Sequence, residues 1–360
     1  MSSNVPILND THENVAPTGR VSTRVGTSSA DCVPLAMFHD SPRSRFLNLT
    51  AMRVLFQTPR PSIRLVACAA GFALTAMTHS HAESVTEAKK KIVFVAGKPS
   101  HGPGQHEHRA GCMLLADQLN KSGLPVDAVV TDMGWPQDNA IFDGASAVVI
   151  YADGGGGHPA IKQLDELRKL AKKGVGIGCI HYAVEIPNGV PGDTFVDLIG
   201  GYFETDYSVN PHWTGSFKMP KHPITQGIQD FSMLDEWYYH MRFRKDMEGV
   251  TPILTDLPGP ETLSRRDGPH EGNPEVRAAV LERKEPQHVM WAYDRPAEFG
   301  KGRSFGFTGG HFHKNWQNDN HRCIVLNAIV WISGLEVPLT GVPSKTPTDE
   351  EMAANLDKKR

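Results

Sequence analysis

The sequence predicts an α/β fold, a parallel sheet with helices on both faces and a loop-rich antiparallel insertion. Three observations carry this. Short apolar runs at 91–97, 126–131, 145–151 and 175–180 have the length and continuity of strands buried on both faces. Segments at 109–121 and 159–173 carry apolar residues at helical spacing. The order strand, helix, strand, strand, helix, strand requires crossovers that lay helices over a parallel sheet.

The expected fold begins well inside the chain. Residues 1–51 are rich in Ser, Thr, Asn and Pro without sustained periodicity and read as a disordered leader. Arg53, Arg60 and Arg64 then precede an apolar run at 65–77, and Ser80 and Ala82 are small at the positions a signal peptidase reads. Residues 52–82 are therefore expected to be a secretory signal, with translation starting at Met52 and a mature chain starting near Glu83. The apolar run is shorter than the roughly 20 residues that span a bilayer, so the mature chain is expected to be periplasmic or secreted with no membrane anchor. The formal net charge of −3 gives no electrostatic case for nucleic acid as a partner. Cys112, Cys179 and Cys323 lie on expected core elements and read as free thiols, not a disulfide framework.

From the mature start, strand 91–97 leads into a Gly- and Pro-rich loop at 98–108, which is shaped but not helical. Helix 109–121 stops at Gly123. Strand 145–151 ends in Asp153 and four glycines. Pro159 sits where a helix opens without losing a hydrogen bond, and Leu164, Leu167 and Leu170 line one face up to Lys173. Strand 175–180 then turns sharply at His181. A short helix is expected at 193–200. Between 201 and 286 the chain is aromatic and loop-rich, with short antiparallel strands expected at 214–219, 236–243, 250–255 and 278–282 and an exposed loop at 265–275. Strands at 288–293 and 303–308 and a helix at 320–334 close a domain spanning 90–336, and 337–360 reads as a flexible tail.

The chemistry-bearing residues fall at predicted strand ends. His101, His106 and His108 follow the first strand, His158 the third, His181 the fourth, and His311 and His313 the last. In a parallel sheet such loops converge on the carboxyl rim, where sites form. His181 is the leading catalytic candidate, since imidazole titrates near working pH; His106, Glu107 and His311 are its expected partners. His106-Glu107-His108 has ligand types suited to a divalent metal, zinc first among them, but lacks the spacing of a His-Glu-x-x-His helix. The preferred reading there is a helix cap with one working imidazole, and the metal alternative draws on His106, His108, His181 and His311. Asp153, Gly154 and Gly155 form a bare loop able to admit a polar ligand or cradle an anion. Glu236 and Trp237 pair a carboxylate with an aromatic face, a lining suited to a sugar ring, and His313 faces the same rim.

Those residues carry a resemblance. Stretches 91–111, 174–183, 198–203, 221–227, 235–238 and 293–334 resemble, in order, the ThuA-like (trehalose-utilisation) family of the class I glutamine amidotransferase-like, flavodoxin-like fold. Set against the amidotransferase Gly-x-Cys-x-Gly elbow, His181 occupies the nucleophile position and Cys179 lies inside the strand, so glutamine hydrolysis is not implied. The resemblance implies action on a disaccharide or 3-keto-glycoside. A 3-keto group acidifies its neighbouring C–H, so a base and an oxyanion or metal stabiliser suffice for proton abstraction. The implied partner is a small-molecule carbohydrate, with homo-oligomerisation left open. A non-catalytic carbohydrate-binding or scaffold protein on the same fold is the alternative.

Overall fold

The computed structural model describes residues 88–359; the expected leader and signal peptide lie outside the described residues. Eleven strands and six α-helices follow one another in chain order. Strand β1 (Lys90–Ala96) leads to helix α1 (His108–Lys121) and strand β2 (Val126–Thr131). Next come β3 (Ala145–Tyr151), α2 (Leu164–Lys172), β4 (Gly176–Ile180) and α3 (Val190–Ile199). The insertion contributes β5 (Gly201–Tyr202), β6 (His212–Phe217), β7 (Phe231–Glu236) and β8 (Arg242–Phe243). Then follow β9 (Val250–Asp256), α4 (Pro274–Arg277), β10 (Gln287–Arg295), β11 (Gly302–Phe307), α5 (Asp319–Ile332) and α6 (Asp349–Ala353).

The central sheet has seven strands in the order β2-β1-β3-β4-β11-β10-β9. Pairings from β2 through β11 are parallel; β10 is antiparallel to both its neighbours. The expected class is therefore present, and β9 and β10, read from sequence as short separate strands, extend the main sheet. The insertion's own pairs, β5 with β8 and β6 with β7, are antiparallel.

Strand alternation divides the core. Ile92, Phe94 and Ala96 of β1 pack with Cys112 and Leu115 of α1 and with the apolar face of α5. Val93 and Val95 point the other way, towards Leu167 and Leu170 of α2 and Phe195 and Leu198 of α3. Helices thus cover both faces, which is why β1, β3 and β4 read as continuous apolar runs. None of the described helices is long and apolar enough to cross a membrane. Among the described residues no disulfide joins Cys112, Cys179 and Cys323; Cys112 and Cys179 are buried, and burial pushes both thiols well up from the ordinary range, while Cys323 is half-buried.

Four expectations are corrected. The strand expected at 278–282 is helical: Asn273 accepts a hydrogen bond from Val276 N at 2.9 Å, Pro274 opens α4, and Ala278–Glu282 continues it as a wider π turn. An N-cap followed by proline is a helix start, and its short β-like apolar run concealed it. The strand expected at 236–243 is not continuous: β7 ends at Glu236, and Arg242–Phe243 form the short β8. Helix α2 starts at Leu164, with Pro159 in the turn before it. The residues after Val337 are not a loose tail: Val337, Val342 and Met352 are buried, and Thr348 caps α6 through a reciprocal bond with Glu351.

Candidate metal centre

The strands β1, β3, β4 and β11 are neighbours, and the chain reverses its winding direction between β1 and β3. At such a switch point the carboxyl ends leave a crevice. The loop after β1 brings His106, the loop after β3 brings Asp153, the turn after β4 brings His181, and the loop after β11 brings His311. Edge strand β7 adds Glu236.

His106 and His181 both hold positive φ, 47° and 57°, which costs a residue with a side chain on the order of 1 kcal/mol or more. The His181 backbone opens a tight 3-10 turn, His181–Val184, directly off β4. The turn aims the imidazole across the rim. The β11 loop is anchored by Asp235, whose carboxylate accepts from Gly310 N at 2.8 Å, His311 N at 3.1 Å and Asn315 Nδ2 at 3.0 Å. The Tyr151 hydroxyl donates to Gly310 O from β3.

These anchors bring four atoms together. His106 Nε2 lies 3.0 Å from His181 Nε2 and 3.0 Å from His311 Nδ1. His311 Nδ1 lies 3.3 Å from His181 Nε2 and 2.9 Å from Glu236 Oε2. Glu236 Oε2 is 3.5 Å from His181 Nε2. The four residues are buried or nearly so, and each offers one ligand atom to a common point. Tetrahedral coordination with metal–nitrogen bonds of about 2.0–2.1 Å separates ligand atoms by roughly 3.3 Å, which is the spacing here.

The outer contacts decide which nitrogens carry protons. His106 Nδ1 is 2.8 Å from Asp153 Oδ1, and His181 Nδ1 is 2.8 Å from Thr308 O. Both partners only accept, so both Nδ1 atoms are N–H donors. In the neutral rings each Nε2 then carries a lone pair, and these lone pairs face each other. Burial, reinforced by neighbouring imidazoles, pushes the His106 and His181 pKa values far down, so protonation does not relieve the contact. A carboxylate or carbonyl fixing the far nitrogen is also what orients a metal-bound imidazole. For Glu236, burial raises the carboxyl pKa, but the bond from His311 and the adjacent imidazoles outweigh it and hold the group below its usual range. His311 Nε2 is buried without a hydrogen-bond partner among the described residues.

The predicted residues separate into two groups. His106, His181, His311 and Glu236 converge. Asp153 belongs with them as the orienting carboxylate of His106, and it also accepts from Ser100 Oγ at 2.9 Å. His108 lies behind: its Nδ1 donates to Lys98 O at 3.1 Å, and its Nε2 stands 3.6 Å from Asp153. Glu107 is buried but turned to the carboxyl-terminal segment, accepting from Gly104 N at 2.9 Å and Asp357 N at 3.0 Å and pairing with Lys359 at 3.2 Å. His313 likewise turns away, to Met352 O at 3.1 Å. Trp237 is core: it packs on Phe217 and Phe307 and donates to Met233 O. The β period explains this, since Glu236 faces the centre and the next side chain must face away.

The glycine loop is no anion cradle. Gly155 N and Gly157 N are spent on Glu185 O and Gly154 O. A side chain at Gly154 would lie 2.2 Å from Tyr182 O, so that glycine permits the close approach of the His181 turn. His158 ties the same two segments together, its Nε2 donating to Ala183 O at 3.1 Å and its Nδ1 accepting from Ala160 N at 3.1 Å.

Sequence reasoning missed Tyr238, whose hydroxyl is 3.2 Å from His181 Nε2 and 3.3 Å from Glu236 Oε2. Its signal was its place two residues after Glu236. It also missed His212, 3.7 Å from Glu236 Oε1, and Asn210, which donates to that oxygen at 3.2 Å. Both line a polar cavity of about 300 Å³ beside Glu236, together with Glu261, Thr262 and Arg265. His101 stacks on His106 at 3.6 Å, half exposed.

The sheet is mostly parallel, and a buried three-histidine, one-carboxylate cluster stands at its carboxyl rim. Cys179 lies buried within β4, and His181 occupies the turn. The family model described as ThuA, trehalose utilisation, matches residues 92–332, and the chain belongs to that family. Among solved structures, a ThuA-like protein from Bacteroides uniformis is 14% identical, covering 68% of this chain and 92% of that one, with a TM-score of 0.46. A ThuA-like protein from Parabacteroides merdae is 15% identical, covering 72% and 98%, with a TM-score of 0.45. A glutamine amidotransferase from Thermotoga maritima is 8% identical, covering 68% and 96%, with a TM-score of 0.33. No curated protein matches the sequence.

Proposed function

We propose that this ThuA-family chain is a metal-assisted enzyme acting on a disaccharide or 3-keto-glycoside, with a divalent cation, zinc foremost, held by His106, His181, His311 and Glu236. The observation that carries the reading is the 3.0 Å approach of two imidazole nitrogens whose lone pairs face each other. A bound cation at that point would polarise a substrate carbonyl or lower the pKa of a water. Asp153 and Thr308 O orient the two imidazoles. Tyr238, whose buried hydroxyl burial and Glu236 hold well above its ordinary pKa, stays protonated and is a hydrogen-bond donor at the centre. In this reading His181 holds the cation, and the half-exposed imidazoles of His101 and His212 stand beside it at the rim. The family's link to trehalose utilisation supports a sugar substrate, and the polar cavity beside Glu236 suits hydroxyls.

The test is zinc content and turnover of 3-keto-trehalose for the purified chain from Glu83 to Arg360. One equivalent of zinc is expected, lost in His106→Ala and His181→Ala, with affinity lowered about 10–100-fold in Asp153→Asn. A metal-free chain that turns over the sugar would return His181 to an acid–base role. A chain that binds sugar without product would make this a binding protein.

We also propose export, on the basic, apolar and small-residue pattern at 52–82. Amino-terminal sequencing of the exported protein should start near Glu83; an intact Met1 on cytoplasmic protein sinks the idea.

A further inference from the structure

Beside the histidine cluster stands a second polar group that the proposed metal chemistry does not use. Glu185 ends the His181 turn, and its side chain is 4% exposed. Among the described residues its carboxylate has one side-chain donor, His270 Nε2, at 3.1 Å to Oε1 and 3.0 Å to Oε2. A carboxylate offers about four acceptor positions, and one N–H fills a fraction of them. A buried carboxylate so lightly satisfied is costly unless something else donates to it.

The chain next to it is bare glycine backbone. A Cβ on Gly155 would lie 3.2 Å from Glu185 Oε1 and 3.8 Å from the Tyr182 hydroxyl, and Gly156 and Gly157 have nothing within 4 Å of theirs. Gly155, held at a φ of 57°, therefore lets bare backbone pass close to a carboxylate oxygen and a phenol, with exposed Gly156 and Gly157 beside it. This stretch adjoins the cluster: the Tyr182 ring is 5.9 Å from His106 and 6.3 Å from Tyr238. On the far side Phe203 stacks on His270 at 5.2 Å and meets Tyr238 at 5.4 Å. Arg265 Nη2, which donates to His270 O at 3.1 Å and to Asn210 Oδ1 at 2.9 Å, ties the His270 loop to the residue that holds Glu236. The bond to Glu185 raises the His270 pKa against the opposing effect of burial, which keeps a donor beside the acceptor.

We propose that Gly155, Tyr182, Glu185 and His270 form a hydroxyl-binding subsite that holds a sugar ring of the substrate next to the histidine cluster. The proposal rests on the carbohydrate reading above and deepens it. Carboxylate oxygens accept from the hydroxyls, the imidazole N–H and the phenol donate, and the bare glycine backbone admits the ring edge.

The test is calorimetric titration of the zinc-loaded full-length mature chain with trehalose and its mono-deoxy analogues. Glu185→Gln is expected to weaken trehalose binding at least tenfold, with zinc content and urea midpoint unchanged. Gly156→Ala, whose Cβ would meet no atom within 4 Å, should leave trehalose binding unchanged. One mono-deoxy trehalose should lose affinity for the wild-type chain and lose nothing further in Glu185→Gln, a readout that a purely structural role does not move. Equal trehalose affinity in wild type and Glu185→Gln overturns the subsite and leaves the carbohydrate reading standing. Loss of zinc or of stability in Glu185→Gln makes the residue structural and also overturns it. A zinc-loaded wild-type chain that binds none of these sugars removes the carbohydrate reading and the subsite together, while the metal centre survives.

Discussion

At the scale of single residues, hidden imidazoles do two jobs in this protein. Some meet at the cluster; others are structural. His158 and His321 are buried and neutral, and desolvation pushes both pKa values down to about 4 from 6.5. His321 is packed against Trp237, Phe307 and Trp316, and neither ring nitrogen has a hydrogen-bond partner. The folded state therefore binds fewer protons than the unfolded chain between those pH values. Stability is at its full level above 6.5 and falls as pH drops towards 4. At pH 5 each residue should account for about 2 kcal/mol of loss relative to pH 7.5, measured by urea unfolding at the two pH values. His158→Asn and His321→Asn should flatten that dependence. The sequence exposed which residues could matter but not which way they point. His106, His181 and His311 were legible because they end apolar strands. His313 was indistinguishable from them by position and type, and Glu107 and Trp237 each stand next to a residue that does converge. Their orientation depends on the parity of one strand and on partners far along the chain, and neither is written locally.

At the scale of elements, the carboxyl-terminal segment is the largest departure from expectation. Its composition is Pro-rich and then charged, which ordinarily means solvent. Here Lys359 enters the fold, donating to Gln105 O and to His106 O, the latter at 3.1 Å, and pairing with Glu107. Both side chains of that ion pair are at most 3% exposed. Burial raises the Glu107 carboxyl pKa; the N–H groups of Asp357 and Gly104 and the Lys359 ammonium overcome it and hold the group below its ordinary range. Removing one partner strands the other charge. Lys359→Ala should cost about 3–5 kcal/mol of stability, read by urea denaturation, and should weaken zinc retention because the strained His106 backbone loses a clamp. A Lys359 variant as stable as the wild type would show that the segment only rests on the surface. Helix α4 teaches the same lesson differently. Its cap and proline were in plain view, but its apolar run was too short for a periodicity argument.

For the whole molecule, the sheet was legible because burial on both faces leaves an unbroken apolar signature in β1, β3 and β4. The order of strands was not, and neither was the addition of β9 and β10 to the same sheet. Those follow from long-range pairing, in which β11 slots between β4 and β10 although most of the insertion separates it from β4 in sequence. The site inherits that topology. His106 and His181 are 75 positions apart, and His106 and His311 are 205. During synthesis the chain emerges from one end at roughly 5–20 residues per second. A nascent chain carrying only the first two histidines has neither the β11 loop nor the Glu236 strand locked against it. The four clustered side chains exist as a set only once β11 has paired with β4 and Asp235 has gripped Gly310. Assembly of the centre is thus a completion signal for the fold. Possession of the whole four-residue cluster and possession of a finished sheet are the same event.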